Sequence, residues 1–99
     1  MEDLKDFIDL EEYALSDKKP PKEAKYLIKI DKKKYPVTVE SMTGRDILLL
    51  AEKNPPENFQ LRQKLKGGNV RKIGLNDLID FTEPGVEKFM TIPLDQTEG

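Results

Sequence analysis

Residues 25–56, KYLIKIDKKKYPVTVESMTGRDILLLAEKNPP, hold the pattern from which the fold can be predicted. Apolar and polar side chains alternate over residues 26–30 and again over residues 35–39, which is the period of a half-buried strand. The polar residues 31–34 lie between these two runs, so the segment predicts a β-hairpin. Pro36 cannot donate a ladder hydrogen bond, and the second strand is therefore expected at a sheet edge.

A helix is predicted directly after this hairpin. Thr43 can cap its N-terminus, and Asp46 lies three residues further on, as in a capping box. Ile47, Leu50 and Ala51 follow the i, i+3, i+4 spacing of one buried helix face. Because two prolines follow, the helix is expected to end just before them. A helix with one apolar face is expected to cover one face of a sheet.

Three more strands are predicted in the rest of the chain, over residues 59–65, 70–73 and 86–92, with a turn at Gly67-Gly68. Residues 74–81 are interpreted as a helical turn followed by a loop. One main helix on a mixed sheet of four to five strands is an α+β solution for about 75 residues. The first and last strands must then lie side by side and parallel at the sheet centre, which is the ubiquitin-like β-grasp arrangement.

The composition limits the classes of function. The 99 residues are one domain by size, and the net charge of −2 does not favour nucleic acid as a partner. The chain has no cysteine and no histidine, which removes thiol nucleophiles, most zinc sites and the usual general base at neutral pH. No apolar run approaches the roughly 20 residues that span a bilayer, and the acidic N-terminus is unlike a signal peptide. We therefore expect a cytoplasmic protein that is not an enzyme, with no metal, no cofactor and no membrane partner.

Charge divides the chain into an acidic arm and a mildly basic body. Residues 1–19 carry seven acids and three lysines, whereas residues 20–99 carry twelve acids and fourteen bases. Pro20-Pro21 is typical of a linker, because proline breaks helices and favours extended chain. The predicted organisation is an acidic N-terminal arm with its Pro-rich linker over 1–22, a β-grasp domain over 23–93, and a flexible tail over 94–99.

Three stretches resemble the bacterial multiubiquitin family. They are YLIKIDKKKYPV at 26–37, TGRDILLLAEKNPPENFQL at 43–61 and EPGVEKF at 83–89. The resemblance extends over about residues 25–93 and implies a β-grasp protein modifier of a bacterial ubiquitination-like pathway, such as one in antiphage defence. It also implies three partners, namely an E1-like activating enzyme, an E2-like conjugating enzyme and a JAB-type protease.

Within that resemblance, Gly99 is the predicted conjugation handle. An activating enzyme must adenylate a carboxylate and pass the acyl group to a thiol, and glycine, which lacks a Cβ, obstructs that carbon least. Ubiquitin-like modifiers usually end in two glycines, whereas Glu98 precedes Gly99 here. The alternative is that the C-terminal residues form an ordinary frayed end with no role in conjugation. The tail that would deliver the glycine is Leu94, Asp95, Gln96, Thr97 and Glu98.

The arm contains an apolar motif followed by acids. Phe7, Ile8 and Leu10 precede Glu11 and Glu12, a pattern that resembles the motifs that bind SUMO, a ubiquitin-like protein, by adding a strand to its sheet edge. In such binding, backbone hydrogen bonds supply affinity, alternate side chains fill a groove, and acids can meet lysines at its rim. The candidate receiving edge strand in this chain carries Lys34, Tyr35, Val37 and Val39.

Several arrangements of the arm stay open at this stage. It could dock on a second copy, which gives self-association through residues 1–19, or it could fold back on its own domain. It could also form a short amphipathic helix packed on the body, or be a disordered tail. Docking on other chains would make the protein a non-covalent β-grasp adaptor, which is the alternative to the modifier.

Overall fold

The computed structural model describes residues 7–22 and 25–94. The predicted handle Gly99 and the tail residues 95–98 therefore lie outside the described residues. In chain order the elements are β1 (Ile8–Asp9), α1 (Leu10–Leu15), β2 (Tyr26–Ile30), β3 (Lys33–Val37), β4 (Ser41–Thr43), α2 (Gly44–Leu50), a 3₁₀ turn (Pro56–Asn58), β5 (Phe59–Leu65), β6 (Val70–Ile73), β7 (Leu78–Asp80) and β8 (Val86–Pro93).

The main sheet runs in the order β1-β2-β8-β5-β6, and β3 pairs with β2. The hairpin β2–β3 is antiparallel, whereas β2 and β8 are parallel and meet at Ile30 and Phe89. This confirms the predicted β-grasp arrangement, with the first and last strands of the domain at the sheet centre. The sheet has six strands, not four to five, because the N-terminal arm adds β1.

Helix α2 begins as predicted, since the Thr43 hydroxyl accepts a hydrogen bond of 3.2 Å from the backbone N–H of Asp46. Its buried side is wider than the predicted face, since Ile47 and Ala51 are buried as predicted and Leu48 is buried as well. Ile47 and Leu48 are fully buried, and Leu50 is only half-buried. The reason is that α2 contacts β4, β5 and the 3₁₀ turn, so neighbours cover it from more than one direction.

The prediction of a helical turn followed by a loop over residues 74–81 is wrong, because this segment contains a single turn and then a strand. A single turn is closed by a 3.1 Å hydrogen bond from the N–H of Asp77 to the carbonyl of Gly74. The next residues form β7, which pairs antiparallel with β4, with Ile79 opposite Met42. Ile79 and Phe81 are buried at the period of a strand. Three residues are too short a strand for its alternation to stand out in the sequence.

The loop before β7 also supports the start of α2. The N–H of Gly44 donates to the carbonyl of Asp77, and the N–H of Arg45 donates to the carbonyl of Leu75, both over 3.0 Å. Two helix donors that would otherwise be unpaired are thereby satisfied. A Cβ on Gly44 would lie 2.3 Å from the carbonyl oxygen of Gly74, so only glycine fits this close approach. The contact fixes Leu75 relative to the first turn of α2.

Candidate functional site

The arm enters the sheet beside β2. Strand β3 pairs with every residue of β2, from Tyr26 to Ile30, and so occupies one whole edge. β1 pairs in parallel with Tyr26 and Leu27, and β8 pairs at Ile30, so these two strands share the opposite edge. The N–H of Ile8 donates to the carbonyl of Lys25 over 2.8 Å. The arm thus fills the part of this edge that β8 does not reach.

Apolar side chains of the arm then pack into the domain. Asp9 caps α1, because its carboxylate accepts a 3.2 Å hydrogen bond from the N–H of Glu11. The helix contacts both β8 and β2. Phe7, Leu10 and Ala14 are all buried, and Leu10 belongs to the main hydrophobic cluster. The arm therefore extends the core of the domain instead of lying on its surface.

Acids of the arm meet lysines of the hairpin. The Asp9 carboxylate is paired with the ammonium group of Lys34. Glu11 lies 3.4 Å from the nitrogen of Lys29 and 3.7 Å from that of Lys34. The hydrogen bond to Asp9 and the negative charges of the arm raise the pKa of Lys34 above its ordinary value of 10.5. Lys29 and Lys34 are cross-strand neighbours, so the two acids bind one small basic patch.

The segment between α1 and β2 is anchored as well. Asp17 lies 2.6 Å from the nitrogen of Lys66, which follows β5. The hydroxyl of Tyr26 donates a 2.6 Å hydrogen bond to the carbonyl of Pro21, and Pro20 is buried. The arm is thus held by its strand, by its helix and by its linker.

The C-terminal end of β8 forms the root of the tail. β8 pairs antiparallel with β5 from Val86 to Pro93, with one register shift at Glu87. The carboxylate of Asp31 accepts hydrogen bonds from the N–H and the hydroxyl of Thr91, at 2.9 and 2.7 Å. The N–H of Leu94 donates to the carbonyl of Asn58 over 2.8 Å. The backbone is therefore fixed as far as Leu94, whose side chain is 40% exposed.

A family model described as Multiubiquitin matches residues 26–93, from the first residue of β2 to the last residue of β8. The chain belongs to the multiubiquitin family. It is a ubiquitin-like protein, in agreement with the β-grasp sheet and its single main helix. No match was found among curated proteins or among solved structures. The arm lies before the matched residues, so it is an addition to the multiubiquitin domain.

The structure brings together only some of the residues singled out from the sequence. Lys34 contacts the acids of the arm, while Glu12 is exposed. Tyr35 and Val37 lie on β3, and Val39 follows that strand and is 44% exposed. The arm pairs with β2, on the edge opposite β3. Docking of an arm on the outer edge of β3 stays a prediction.

Sequence reasoning missed two members of the arm contact. Ala14 is fully buried, and Lys29 pairs with Glu11. Lys29 could have been found, because its position between Ile28 and Ile30 places it on the outward face of β2. Ala14 carries no such signal, since a short helix has too few turns to show a period.

Within residues 7–22 and 25–94, no group of three or more metal-binding side chains lies together. Over the same part of the chain, no helix has the length and apolar character to cross a membrane.

Proposed function

We propose that this multiubiquitin-family protein is a modifier of a cytoplasmic, bacterial ubiquitination-like pathway, such as one in antiphage defence. Gly99 would be joined through its carboxylate to an amine of a target protein. The observation that carries the proposal is the family match over residues 26–93, which coincides with the β-grasp domain from β2 to β8. The chain would then be a substrate and not an enzyme.

The root of the tail supports this role. β8 is paired from Val86 to Pro93, and Leu94 lies at the surface immediately after it. A rigid root fixes where the following residues leave the body, so an enzyme that binds the body meets the tail at a defined position. Glycine at position 99 presents an acyl carbon with no Cβ beside it.

The chemistry would be supplied by the partners. An E1-like enzyme would join the Gly99 carboxylate to the α-phosphate of ATP with release of pyrophosphate. Its thiol would then displace AMP to form a thioester, and an E2-like thiol would accept the acyl group before an amine takes it. A JAB-type protease would hydrolyse the resulting amide. The modifier has no cysteine, so it offers no thiol that competes for the acyl group.

The test is co-expression with the E1-like and E2-like enzymes of the same host. N-terminally tagged protein is compared with a variant that lacks Gly99 and with Gly99→Ala. We expect higher-mass species on a reducing, denaturing gel for the parent, few for Gly99→Ala and none for the deletion. Mass spectrometry should find the Gly99 carboxyl on a target amine. Absence of these species, or their survival without Gly99, would refute the proposal.

A non-covalent adaptor is the second candidate function. Its support is that the arm binds the domain through backbone pairing, apolar contacts and ion pairs, all of which an arm from another copy could make. A short tether, however, gives the arm an effective concentration of about a millimolar on its own domain. Self-association through residues 1–19 should therefore appear only near that concentration, and sedimentation velocity over a concentration series would detect it.

A further inference from the structure

A shallow groove of about 530 Å³ lies where the tail leaves the body. Three strand ends meet there, since β5 begins, β6 ends and β8 ends at this corner of the sheet. The volume falls within the range of sites that bind small ligands or large side chains. Its principal lining residues are Phe59, Gln60, Lys72, Ile73, Leu75 and Leu94.

The apolar floor of this groove is rigid. Phe59 and Leu75 are half-buried and pack against the main hydrophobic cluster. The backbone of Leu75 is bonded to the first turn of α2, and that of Leu94 is bonded to Asn58. A preformed apolar floor loses little conformational entropy when a partner covers it.

The groove lies beside an open sheet edge. β6 is the last strand in the sheet order and, among the described residues, pairs only with β5. Val70, Arg71 and Lys72 on this strand are exposed. An edge strand presents unpaired backbone N–H and carbonyl groups to which an extended segment can be added.

The charged side chains around the groove determine which kind of segment this edge can bind. Arg62 and Lys72 are directly opposed on β5 and β6, and both are exposed. The acid at the groove, Glu57, lies 2.8 Å from Arg45, and the hydrogen bond from that guanidinium group lowers the pKa of Glu57. The carboxylate therefore stays ionised with its charge already balanced by Arg45. Asp77 lies beside Arg71 and Lys72 at the same edge, where its carboxylate accepts a hydrogen bond from the N–H of Gly74. Bases still outnumber acids there, so the rim favours acidic side chains on a partner.

We propose that the groove and the β6 edge dock an extended acidic segment of the activating enzyme, with one large apolar side chain over Phe59 and Leu75. This inference rests on the proposed function, in which that enzyme acts on the tail. Leu94 both lines the groove and precedes the tail. A segment seated in the groove would therefore lie beside the tail and place it relative to the nucleotide.

The experiment measures ATP–pyrophosphate exchange by the E1-like enzyme of the same host, with the full chain as substrate. Two variants alter the groove outside the tail, Lys72→Glu and Leu75→Gln. Two matched controls alter similar residues elsewhere, Lys32→Glu in the hairpin turn and Leu49→Gln, whose leucine is 43% exposed on α2. Deletion of Gly99 tests the proposed function in the same assay.

We expect each groove variant to raise KM about tenfold, which corresponds to the loss of one good contact, and to leave kcat unchanged, because docking precedes the chemistry. The controls should stay within about twofold of the parent. Circular dichroism melting shows whether each variant is folded. If Leu75→Gln is not folded, Lys72→Glu alone tests the proposal, because Lys72 is exposed and its substitution should not disturb the fold.

Suppose that the parent is active, the Gly99 deletion is inactive, and a folded Lys72→Glu variant has an unchanged KM. This result would refute docking at the groove but would not affect the proposed modifier function. Failure of the parent to be activated, or activity without Gly99, would overturn the proposed function and this inference with it. A parent dimer at assay concentration that dissociates on Lys72→Glu would show that a second copy occupies the groove, which also overturns the proposal.

Discussion

Strands β1 and β8 share one edge of β2 but are held there differently. β8 pairs with β5 from Val86 to Pro93 and is bonded through Thr91 to Asp31. β1 pairs over two residues and depends on Leu10 and on the ion pairs of Lys34. The multiubiquitin match includes β8 and begins after β1. The comparison indicates that β8 is part of the framework of the domain, whereas the arm can be weakened separately.

The largest effect is expected for Phe89→Ala. Phe89 is fully buried at the position where β8 meets β2, and its truncation should lower the free energy of unfolding of the whole domain by about 3–5 kcal/mol. Urea unfolding followed by circular dichroism measures this. Met90→Ala is the control on the other face of β8, and it should cost clearly less because Met90 is only half-buried. A loss below about 1 kcal/mol for Phe89→Ala would contradict a framework role.

Leu10→Ala should have the next largest effect, about 2–3 kcal/mol, but confined to the arm. The loss cannot exceed the docking free energy of the arm, because a detached arm has no more contacts to lose. Hydrogen exchange should quicken for the amides of β1 and α1 while those of β5 and β8 keep their protection. Leu15→Ala, at a leucine that is 59% exposed, is the control. Equal loss of protection in β8 would remove the distinction between the two strands.

Asp31→Gly should cost about 1–2 kcal/mol, since it removes the carboxylate that binds Thr91. Glycine retains the positive φ of 58° at this turn, so the effect reports on the carboxylate and not on backbone strain. Exchange of the Thr91 amide should quicken more than that of Phe89. Asp31→Asn keeps one side-chain acceptor, so its free energy of unfolding should lie between those of the parent and of Asp31→Gly. Parent-like stability of the glycine variant would show that Asp31 serves the turn alone.

Lys34→Met should have the smallest effect, below about 1 kcal/mol at neutral pH, because the Lys34 side chain is 37% exposed and its ion pairs are screened by solvent. The pKa of Lys34 is raised in the folded protein, so its contribution is complete below the ordinary value of 10.5 and is lost as the pH rises through the folded value. Exchange of the arm amides should therefore quicken above about pH 10.5 in the parent.

A rise in pH above about 10.5 should quicken exchange of the arm amides less in the Lys34→Met variant than in the parent. Lys32→Met, in the turn of the same hairpin, is the matched control and should behave like the parent. Equal pH dependence in all three proteins would show that the ion pair with Asp9 does not hold the arm.

Most of the domain could be predicted from its sequence because its signals are local. The alternation in β2, the Thr43 cap and the turn at Gly67-Gly68 each lie within a few residues, and each is present in the structure. β7 was missed because three residues show no clear period. Strand addition and a short helix were both left open for the arm, and the structure contains both, with two residues of strand followed by six of helix.

The candidate site could be predicted only in part. Complementary charge between the acids of the arm and the lysines near residue 34 is visible in the sequence, and the Asp9–Lys34 and Glu11–Lys34 contacts have that character. The strand to which the arm is added is not visible, because pairing between distant segments depends on which edge the rest of the sheet leaves open. The groove at Phe59 and Leu94 was missed for the same reason, since it needs three strand ends to meet.

The shared edge of β2 also has a consequence during synthesis. The arm and the β2–β3 hairpin are synthesised before β8, which is the last strand of the domain in chain order. Until then the β2 edge that β8 will join has no partner within the domain, and an unpaired edge in a nascent chain invites association with other chains. β1 can cover the first half of that edge at once, because it lies close in sequence to β2. We therefore expect the arm to shorten the exposed stretch of this edge to the residues after Leu27, where β8 later pairs at Ile30.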